Sequence, residues 1–272
     1  MGTANGVKDV IGGSVAWRTA GAEQSDVAVF LHGLGGDRFS WEPQLPALAD
    51  IRRCYAWDLP GYGASAGIIE SLPALAELAA QWIVQLSDRP VDVVGLSFGG
   101  MVAQHLTLNH PRLVRTLALL ATSPAFGIDG VTTAEAWLAT RLTPIHDRRP
   151  PVDRIATIVD GMVGPDCSAQ VRASIVASMH AVPPQSLAAA CHALVQHDTR
   201  ERLHRITVPT LVMVGSEDTE TPPSYAAQLA TRIPAATFRV VPGVGHIVNL
   251  EAPDVVNGEL RRLWLSADRA AT

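Results

Sequence analysis

The stretch that decides the fold is "VDVVGLSFGG", residues 91–100, in which one serine stands between two glycines where an apolar run ends. Residues 91–97 have the composition of a buried strand, and residues 98–109 have the pattern of a helix. In a strand-to-helix turn this tight, side chains at Gly95 and Gly99 would collide with neighbouring backbone. The Gly-x-Ser-x-Gly pattern therefore predicts a nucleophile elbow with an exposed Ser97 hydroxyl. The alternative is a glycine-softened turn with an ordinary N-cap serine.

Short apolar runs alternate with amphipathic ones along the rest of the chain, which is typical of βα units. The predicted strands are 27–33, 54–61, 91–97, 116–122, 210–216 and 237–243. Helical patterns lie at about 72–87, 98–109, 223–232 and 253–264. We therefore expect an α/β fold with a mostly parallel central sheet flanked by helices.

The alternation stops between residues 125 and 205, where no strand is predicted and prolines are frequent: Pro144, Pro150, Pro151, Pro183 and Pro184. Mixed helical patterns in this segment predict a helical cap inserted over the sheet. The expected organisation is a core of residues 1–124 and 206–272 with a cap of residues 125–205.

Composition narrows the possible functions. The chain has 272 residues, 47% of them hydrophobic, and a net charge of -5, with Lys8 as its one lysine. No basic face for nucleic acid is expected, and no apolar run reaches the length of a membrane span. The wide spacing of Cys54, Cys167 and Cys191 favours reduced thiols. We expect a cytoplasmic protein that acts on a small molecule without metal or organic cofactor, and the composition is compatible with an oligomer.

A serine hydroxyl needs a base to become a useful nucleophile. His246 lies in the glycine-rich turn "PGVGHIVNLEAP" after the last predicted strand, and Asp218 follows the strand before it. The order Ser97, Asp218, His246 is one of the known orders of serine triads. Other acidic candidates are Glu217, Glu220 and Asp58, although Asp58 in "DLPGYGAS" reads first as a turn residue.

Acyl transfer also requires donors for an oxyanion. The stretch "FLHGLGGD", residues 30–37, ends a predicted strand in a glycine-rich loop. The backbone amides of Leu34 and Phe98 are the expected oxyanion hole. His32 is expected to hold this loop by hydrogen bonds. The alternative is a plain βα turn.

With "HGLGG", "DLPGYGAS", "GLSFGG", "GSEDTETPP" and "GHIVNLEAP" in this order and spacing, the chain resembles the α/β hydrolases. Within that superfamily it is most similar to the 3-oxoadipate enol-lactonase and carboxylesterase group. Cofactor-free haloperoxidases and carbon–carbon bond hydrolases share many of these motifs. The carbon–carbon bond hydrolases usually have "HGxGPG", and the missing proline in "HGLGGD" disfavours that class. Dehalogenases and epoxide hydrolases carry aspartate where this chain has Ser97.

The resemblance implies a serine esterase or lactonase that works through an acyl-enzyme. A ligand-binding member of the fold without catalysis is the alternative. We expect an apolar pocket under the cap that includes Trp137, Met162 and Met179. Arginines of the cap, Arg141, Arg148 and Arg149, are candidates for pairing with a substrate carboxylate.

Overall fold

The computed structural model describes residues 6–142, 152–234 and 236–271. In these ranges the strands form one eight-stranded sheet in the order β1-β2-β4-β3-β5-β6-β7-β8. Strand β2 is antiparallel to β1 and β4, and the remaining pairs are parallel. The strands are β1 (Lys8–Gly12), β2 (Val15–Ala20), β3 (Val27–Leu31), β4 (Arg53–Trp57), β5 (Val91–Leu96), β6 (Val114–Leu120), β7 (Thr210–Gly215) and β8 (Ala236–Val241).

Helices cover both faces of this sheet. They are α1 (Gln44–Leu48), α2 (Leu72–Leu86), α3 (Phe98–Asn109), α4 (Ala134–Leu142), α5 (Val152–Met162), α6 (Ala169–Ala181), α7 (Pro184–Leu194), α8 (Pro223–Arg232), α9 (Val248–Glu251) and α10 (Pro253–Ala271). Alternate residues of β3 enter different cores: Val29 packs with α2, α3 and α8, and Phe30 packs with α1 and α10. Burial on both faces explains why the central strands read as continuous apolar runs. The predicted fold class is confirmed.

The strand order places two loops next to each other. From β3 the chain adds β4 on one side, and from β5 it adds β6, β7 and β8 on the other. The order therefore reverses between β3 and β5, and such a switch point opens a crevice at the carboxyl ends of the strands. The loop after β3, which begins at His32, and the turn at Ser97 after β5 both lie at this crevice.

Some elements differ from the sequence prediction. The hairpin of β1 and β2 was not among the predicted strands. Strand β1 is largely exposed, and β2, although mostly buried, is interrupted by the polar residues Arg18 and Thr19. The hairpin turn uses Gly13 at φ 65°. Helix α10 continues to residue 271, beyond the predicted end at 264. Its apolar residues end near Trp264, which is fully buried, so periodicity does not mark the last two turns.

Four helices, α4 to α7, lie between β6 and β7 in the part of this segment that the structure describes. Helices α5 and α6 pack on each other around a small core of Ile155, Val159, Val163 and Ile175. Helix α7 instead joins the main core through Ala190 and Leu194. The cap boundaries at 125 and 205 stay a prediction, and Arg148 and Arg149 lie outside the described residues. No helix in the described ranges is long and apolar enough to cross a membrane.

Candidate active site

Ser97 occupies a strained backbone conformation between β5 and α3. Its φ is 53° and its ψ is -117°, in the region that non-glycine residues rarely adopt. A Cβ at Gly95 would lie 2.4 Å from the Gly99 carbonyl oxygen, and one at Gly99 would lie 2.0 Å from that of Leu31. The two glycines are therefore required by backbone crowding. The Ser97 amide donates to the Leu120 carbonyl at 2.9 Å, which ties the turn to β6.

His246 faces the serine. It is buried in the loop after β8, and its Nε2 lies 2.9 Å from Ser97 Oγ. The imidazole Nδ1 lies 3.0 and 2.9 Å from the two oxygens of Asp218, which is also buried. Because a carboxylate only accepts hydrogen bonds, the proton belongs on Nδ1. The lone pair of Nε2 is then directed at the Ser97 hydroxyl.

The Asp218 carboxylate is held by its own loop. The amides of Glu220 and Thr221 both donate to Oδ1 at 2.9 Å, and the Thr221 hydroxyl donates to Oδ2 at 2.9 Å. The same hydroxyl oxygen lies 3.4 Å from His246 Nδ1. Thr221 therefore contacts both members of the pair, a role that sequence reasoning missed. Its place three residues after Asp218 was the available signal, because a short acidic turn accepts such local bonds.

Electrostatics in the site favour a charged pair. Burial alone would lower the pKa of His246, but the charge and hydrogen bond of Asp218 outweigh burial and raise it above its ordinary value. Burial would likewise raise the pKa of Asp218, yet its interactions with His246 and Thr221 lower it. The arrangement therefore stabilises an imidazolium next to a carboxylate, the state that forms when Ser97 gives up its proton.

The other acidic candidates lie elsewhere. Asp58 is fully buried and accepts from the Arg38 guanidinium, from the Arg38 amide at 2.7 Å and from the Ala64 amide at 2.9 Å. It braces its turn, as the sequence indicates. Glu217 accepts from the Ser216 hydroxyl at 2.8 Å, and Glu220 pairs with Arg141. Of these carboxylates, only Asp218 hydrogen-bonds to His246.

The loop after β3 is held in place by hydrogen bonds of the buried His32. His32 Nε2 accepts from the Leu59 amide at 3.0 Å, so Nδ1 carries the proton and donates to the Gly33 carbonyl at 2.8 Å. Burial lowers the pKa of His32, consistent with this neutral form. Since carbonyl and N–H of a trans peptide point in opposite directions, the Leu34 amide faces away from His32. Gly33 lies against Ser97, where an added Cβ would be 3.3 Å from the serine Cβ.

Phe98 is the second residue whose amide is expected to stabilise an oxyanion. It is the first residue of α3, where amide groups have no intrahelical acceptor. Tyr62, which sequence reasoning missed, is fully buried and donates its hydroxyl to the Leu34 carbonyl at 3.0 Å. This bond fixes the peptide that follows Leu34. Nothing in "DLPGYGAS" singles out the tyrosine as a support of a loop 28 residues away.

Glu251 holds the backbone around His246. Its Oε2 accepts from the amides of Gly164 at 2.7 Å and Gly245 at 3.0 Å, and its Oε1 accepts from Ile247 at 3.1 Å. One carboxylate thus fixes both neighbours of the histidine and a residue after α5. Sequence reasoning missed this role. The available signal was an acidic residue five positions after His246 in a glycine-rich loop.

The segment after α5 is in close contact with the histidine loop. The His246 amide donates to the Met162 carbonyl at 2.7 Å. A Cβ on Gly245 would lie 2.3 Å from that carbonyl oxygen, and one on Gly164 would lie 2.3 Å from the Gly243 carbonyl oxygen. These positions therefore require glycine for the two backbones to approach. The position of His246 therefore depends on how residues 162–164 pack against its loop.

Ser97 and His246 open into a cavity of about 1160 Å³, beyond the usual range for small-molecule sites. Leu34, Trp137, Met162 and Met179 line it, with other largely apolar side chains of α5 to α7. The three expected cap residues thus share one cavity with the serine. In the described ranges, no group of three or more His, Cys, Asp or Glu side chains is arranged to hold a metal ion.

Comparison with known proteins places this geometry in context. A model of the Alpha/beta hydrolase family matches residues 28–259. Among curated proteins, a pimeloyl-(acyl-carrier protein) methyl ester esterase from Vibrio cholerae serotype O1 is 32% identical over 218 residues, covering 78% of this chain and 83% of that protein.

Solved structures share the architecture over nearly the whole chain. A hydrolase from Pseudomonas aeruginosa PA01 has a TM-score of 0.83 at 27% identity, covering 96% of this chain and 99% of the other. The enol-lactonase from Burkholderia xenovorans LB400 also has a TM-score of 0.83, at 22% identity, covering 92% and 96%. The second likeness is one of fold.

Proposed function

This chain belongs to the α/β hydrolase family, and we propose that it is a serine esterase that cleaves a carboxylic ester through Ser97, His246 and Asp218. The observation that carries the proposal is the continuous hydrogen-bonded path from Ser97 Oγ to His246 Nε2 and from Nδ1 to Asp218. It supports general-base activation of the serine.

In the first half of the proposed reaction, His246 Nε2 takes the proton of Ser97 Oγ as this oxygen attacks the ester carbonyl. The carbonyl oxygen becomes an oxyanion and accepts from the amides of Leu34 and Phe98. Asp218 stabilises the imidazolium. Collapse of the intermediate breaks the bond to the alkoxy oxygen, which leaves as an alcohol with the proton from Nε2. The acyl group remains on Ser97.

In the second half, a water molecule gives a proton to His246 Nε2 and attacks the acyl carbonyl. The same two amides stabilise the second oxyanion. When this intermediate collapses, the Ser97 oxygen leaves and regains the proton from Nε2. A carboxylic acid is released, and the site returns to its starting state. Every proton in this scheme passes through Nε2, which explains why the tautomer fixed by Asp218 matters.

The favoured substrate is an ester of an extended acyl chain. Two observations support this: the large, mostly apolar cavity, and the sequence similarity to esterases of a pimeloyl-(acyl-carrier protein) methyl ester. A methyl ester of such a chain is therefore our first candidate. A lactone that carries a carboxylate is the second, and its expected partners Arg148 and Arg149 lie outside the described residues.

The test is hydrolysis of p-nitrophenyl acetate and of straight-chain methyl esters by the protein and by Ser97→Ala. We expect Ser97→Ala to lower kcat/KM by about four orders of magnitude or more, because the triad acts as a unit. The matched control is Ser174→Ala. Ser174 also lines the cavity, but its hydroxyl donates to the Val171 carbonyl of its own helix.

Two results would overturn the proposal. One is full turnover by Ser97→Ala, which would remove the serine from the chemistry. The other is release of a single equivalent of p-nitrophenol per protein with no steady state, which would favour a ligand-binding protein. Equal losses in Ser97→Ala and Ser174→Ala would point to a general effect on the cavity.

A further inference from the structure

An arginine and a glutamate of the cavity wall form an ion pair outside the proposed triad. Arg141, in the last turn of α4, places Nη2 at 2.9 and 2.7 Å from the two Glu220 oxygens. Both side chains line the cavity that contains Ser97, and each keeps 29% of its surface exposed. The pair therefore connects α4 to the loop that carries Asp218.

Among the described residues, only one nitrogen of the Arg141 guanidinium has a hydrogen-bond acceptor. Its bonds to Glu220 use only Nη2, and the described ranges contain no acceptor for its Nε or Nη1. Its guanidinium lies 5.2 Å from the ring centre of Trp137, which also lines the cavity. A guanidinium has five N–H donors in a planar fork. Arg141 can thus keep its bond to Glu220 and still donate to a ligand in the cavity.

The charge of Arg141 is already balanced, and this restricts the ligand. A free carboxylate of a ligand that binds Arg141 would also lie close to the Glu220 carboxylate, because Glu220 contacts the same guanidinium. The two negative charges would repel each other. A neutral carbonyl oxygen gains the hydrogen bond without that repulsion. A bare arginine in the same place would favour a carboxylate instead.

We propose that the Arg141–Glu220 pair is a specificity site for a second carbonyl group of the acyl chain, distinct from that of the scissile ester. It receives a neutral carbonyl there, of an ester, thioester or amide, and discriminates against a free carboxylate. This inference rests on the proposed esterase function. It makes Glu220 a residue that decides specificity through the charge of Arg141.

The competing explanation is a bridge that only holds the cap. A second ion pair allows the two to be separated: Arg172 of α6 pairs with Asp160 of α5, and neither residue is among those that line the cavity with Ser97. Neutralising Asp160 removes a more exposed ion pair between α5 and α6 without changing the charge in the cavity wall.

The experiment compares dimethyl suberate with monomethyl suberate, which differ in the charge at the remote end. The ratio of their kcat/KM values is measured for the parent, Glu220→Gln and Asp160→Asn. We expect the parent to prefer the diester. Glu220→Gln should shift the ratio toward the monoester by about tenfold or more, since one unbalanced charge at about 4 Å has such an effect at the effective dielectric of a partly buried site. Asp160→Asn should leave the ratio within twofold of the parent.

Binding gives a readout that does not need turnover. In a Ser97→Ala background, calorimetric affinities for the two suberates should show the same shift when Glu220→Gln is added. Arg141→Met should weaken binding of the diester and increase discrimination against the monoester, because Glu220 then stands alone. An unchanged ratio in Glu220→Gln would overturn the specificity site even if the esterase proposal holds. Absence of turnover in the parent would overturn the esterase proposal and leave the affinities as the test.

Discussion

Replacing Glu251 with alanine should disable the base without touching any of the three proposed catalytic residues. The carboxylate accepts three backbone amides, at 2.7, 3.0 and 3.1 Å, and two of them flank His246. Without it, Gly245 and Ile247 lose their acceptors, and Gly164 is released from the histidine loop. We expect the imidazole to lose its alignment with Ser97 and Asp218.

The size of the effect follows from these bonds. Hydrogen bonds to charged groups contribute about 1.5–3 kcal/mol each, and water can replace part of this at the half-buried Glu251. We expect Glu251→Ala to lower the free energy of unfolding by about 2–4 kcal/mol. A displacement of the base by about 1 Å costs roughly a hundredfold in rate. Glu251→Gln keeps one acceptor oxygen, so its losses should be intermediate.

The assay is kcat/KM for p-nitrophenyl acetate as a function of pH, with thermal unfolding in parallel. The charge of Glu251 helps to raise the pKa of His246. Activity requires neutral His246, so the acid limb in Glu251→Gln should move to lower pH. Glu259→Ala is the control, since that carboxylate pairs with Arg239 and Arg262. Parent-like rates and an unshifted acid limb in folded Glu251→Ala would refute the reasoning.

Two further outcomes follow from the charges. Asp218→Asn should reduce kcat by about 10⁴-fold, because the imidazole loses the partner that fixes its tautomer. Asp58→Asn should mainly lower the melting temperature, and equal kinetic losses in both variants would contradict the assignment of roles. The buried pair His105 and His197 has pKa values lowered by burial to about 4 and about 3. Below about pH 6.5 the unfolded chain then binds more protons than the folded one. The free energy of unfolding therefore decreases as the pH is lowered, by roughly 2 kcal/mol per histidine between neutral pH and pH 5. Urea titrations at pH 7 and pH 5 should show a smaller loss of unfolding free energy in His197→Asn than in the parent. An equal loss in both proteins would show that the histidine pair is not the cause.

The core of the fold was predictable because the central strands are buried on both faces. Runs such as Val91–Leu96 carry that burial in their composition, and Gly95 and Gly99 mark the turn that follows. Strand β1 was not predictable in the same way. At the edge of the sheet, β1 has little burial to encode, and its exposed residues resemble a loop.

In the site, sequence order identified the residues with distinctive chemistry, and the structure brings Ser97, His246 and Asp218 within hydrogen-bonding distance. The supporting residues could not be predicted, because their roles arise from contacts across long stretches of chain. Glu251 meets Gly164 across 87 positions, and Tyr62 meets Leu34 across 28. No local sequence pattern predicts such long-range contacts, and a buried tyrosine is indistinguishable in sequence from any other core residue.

The most direct test of the central claim is to trap the acyl-enzyme. The protein is mixed with p-nitrophenyl acetate and quenched in acid within the first turnovers, and its peptides are analysed by mass spectrometry. Our account predicts one acetyl group, on the peptide that carries Ser97 and on that serine, and none in Ser97→Ala. Acetylation at another residue, accompanied by continued hydrolysis in Ser97→Ala, would contradict it.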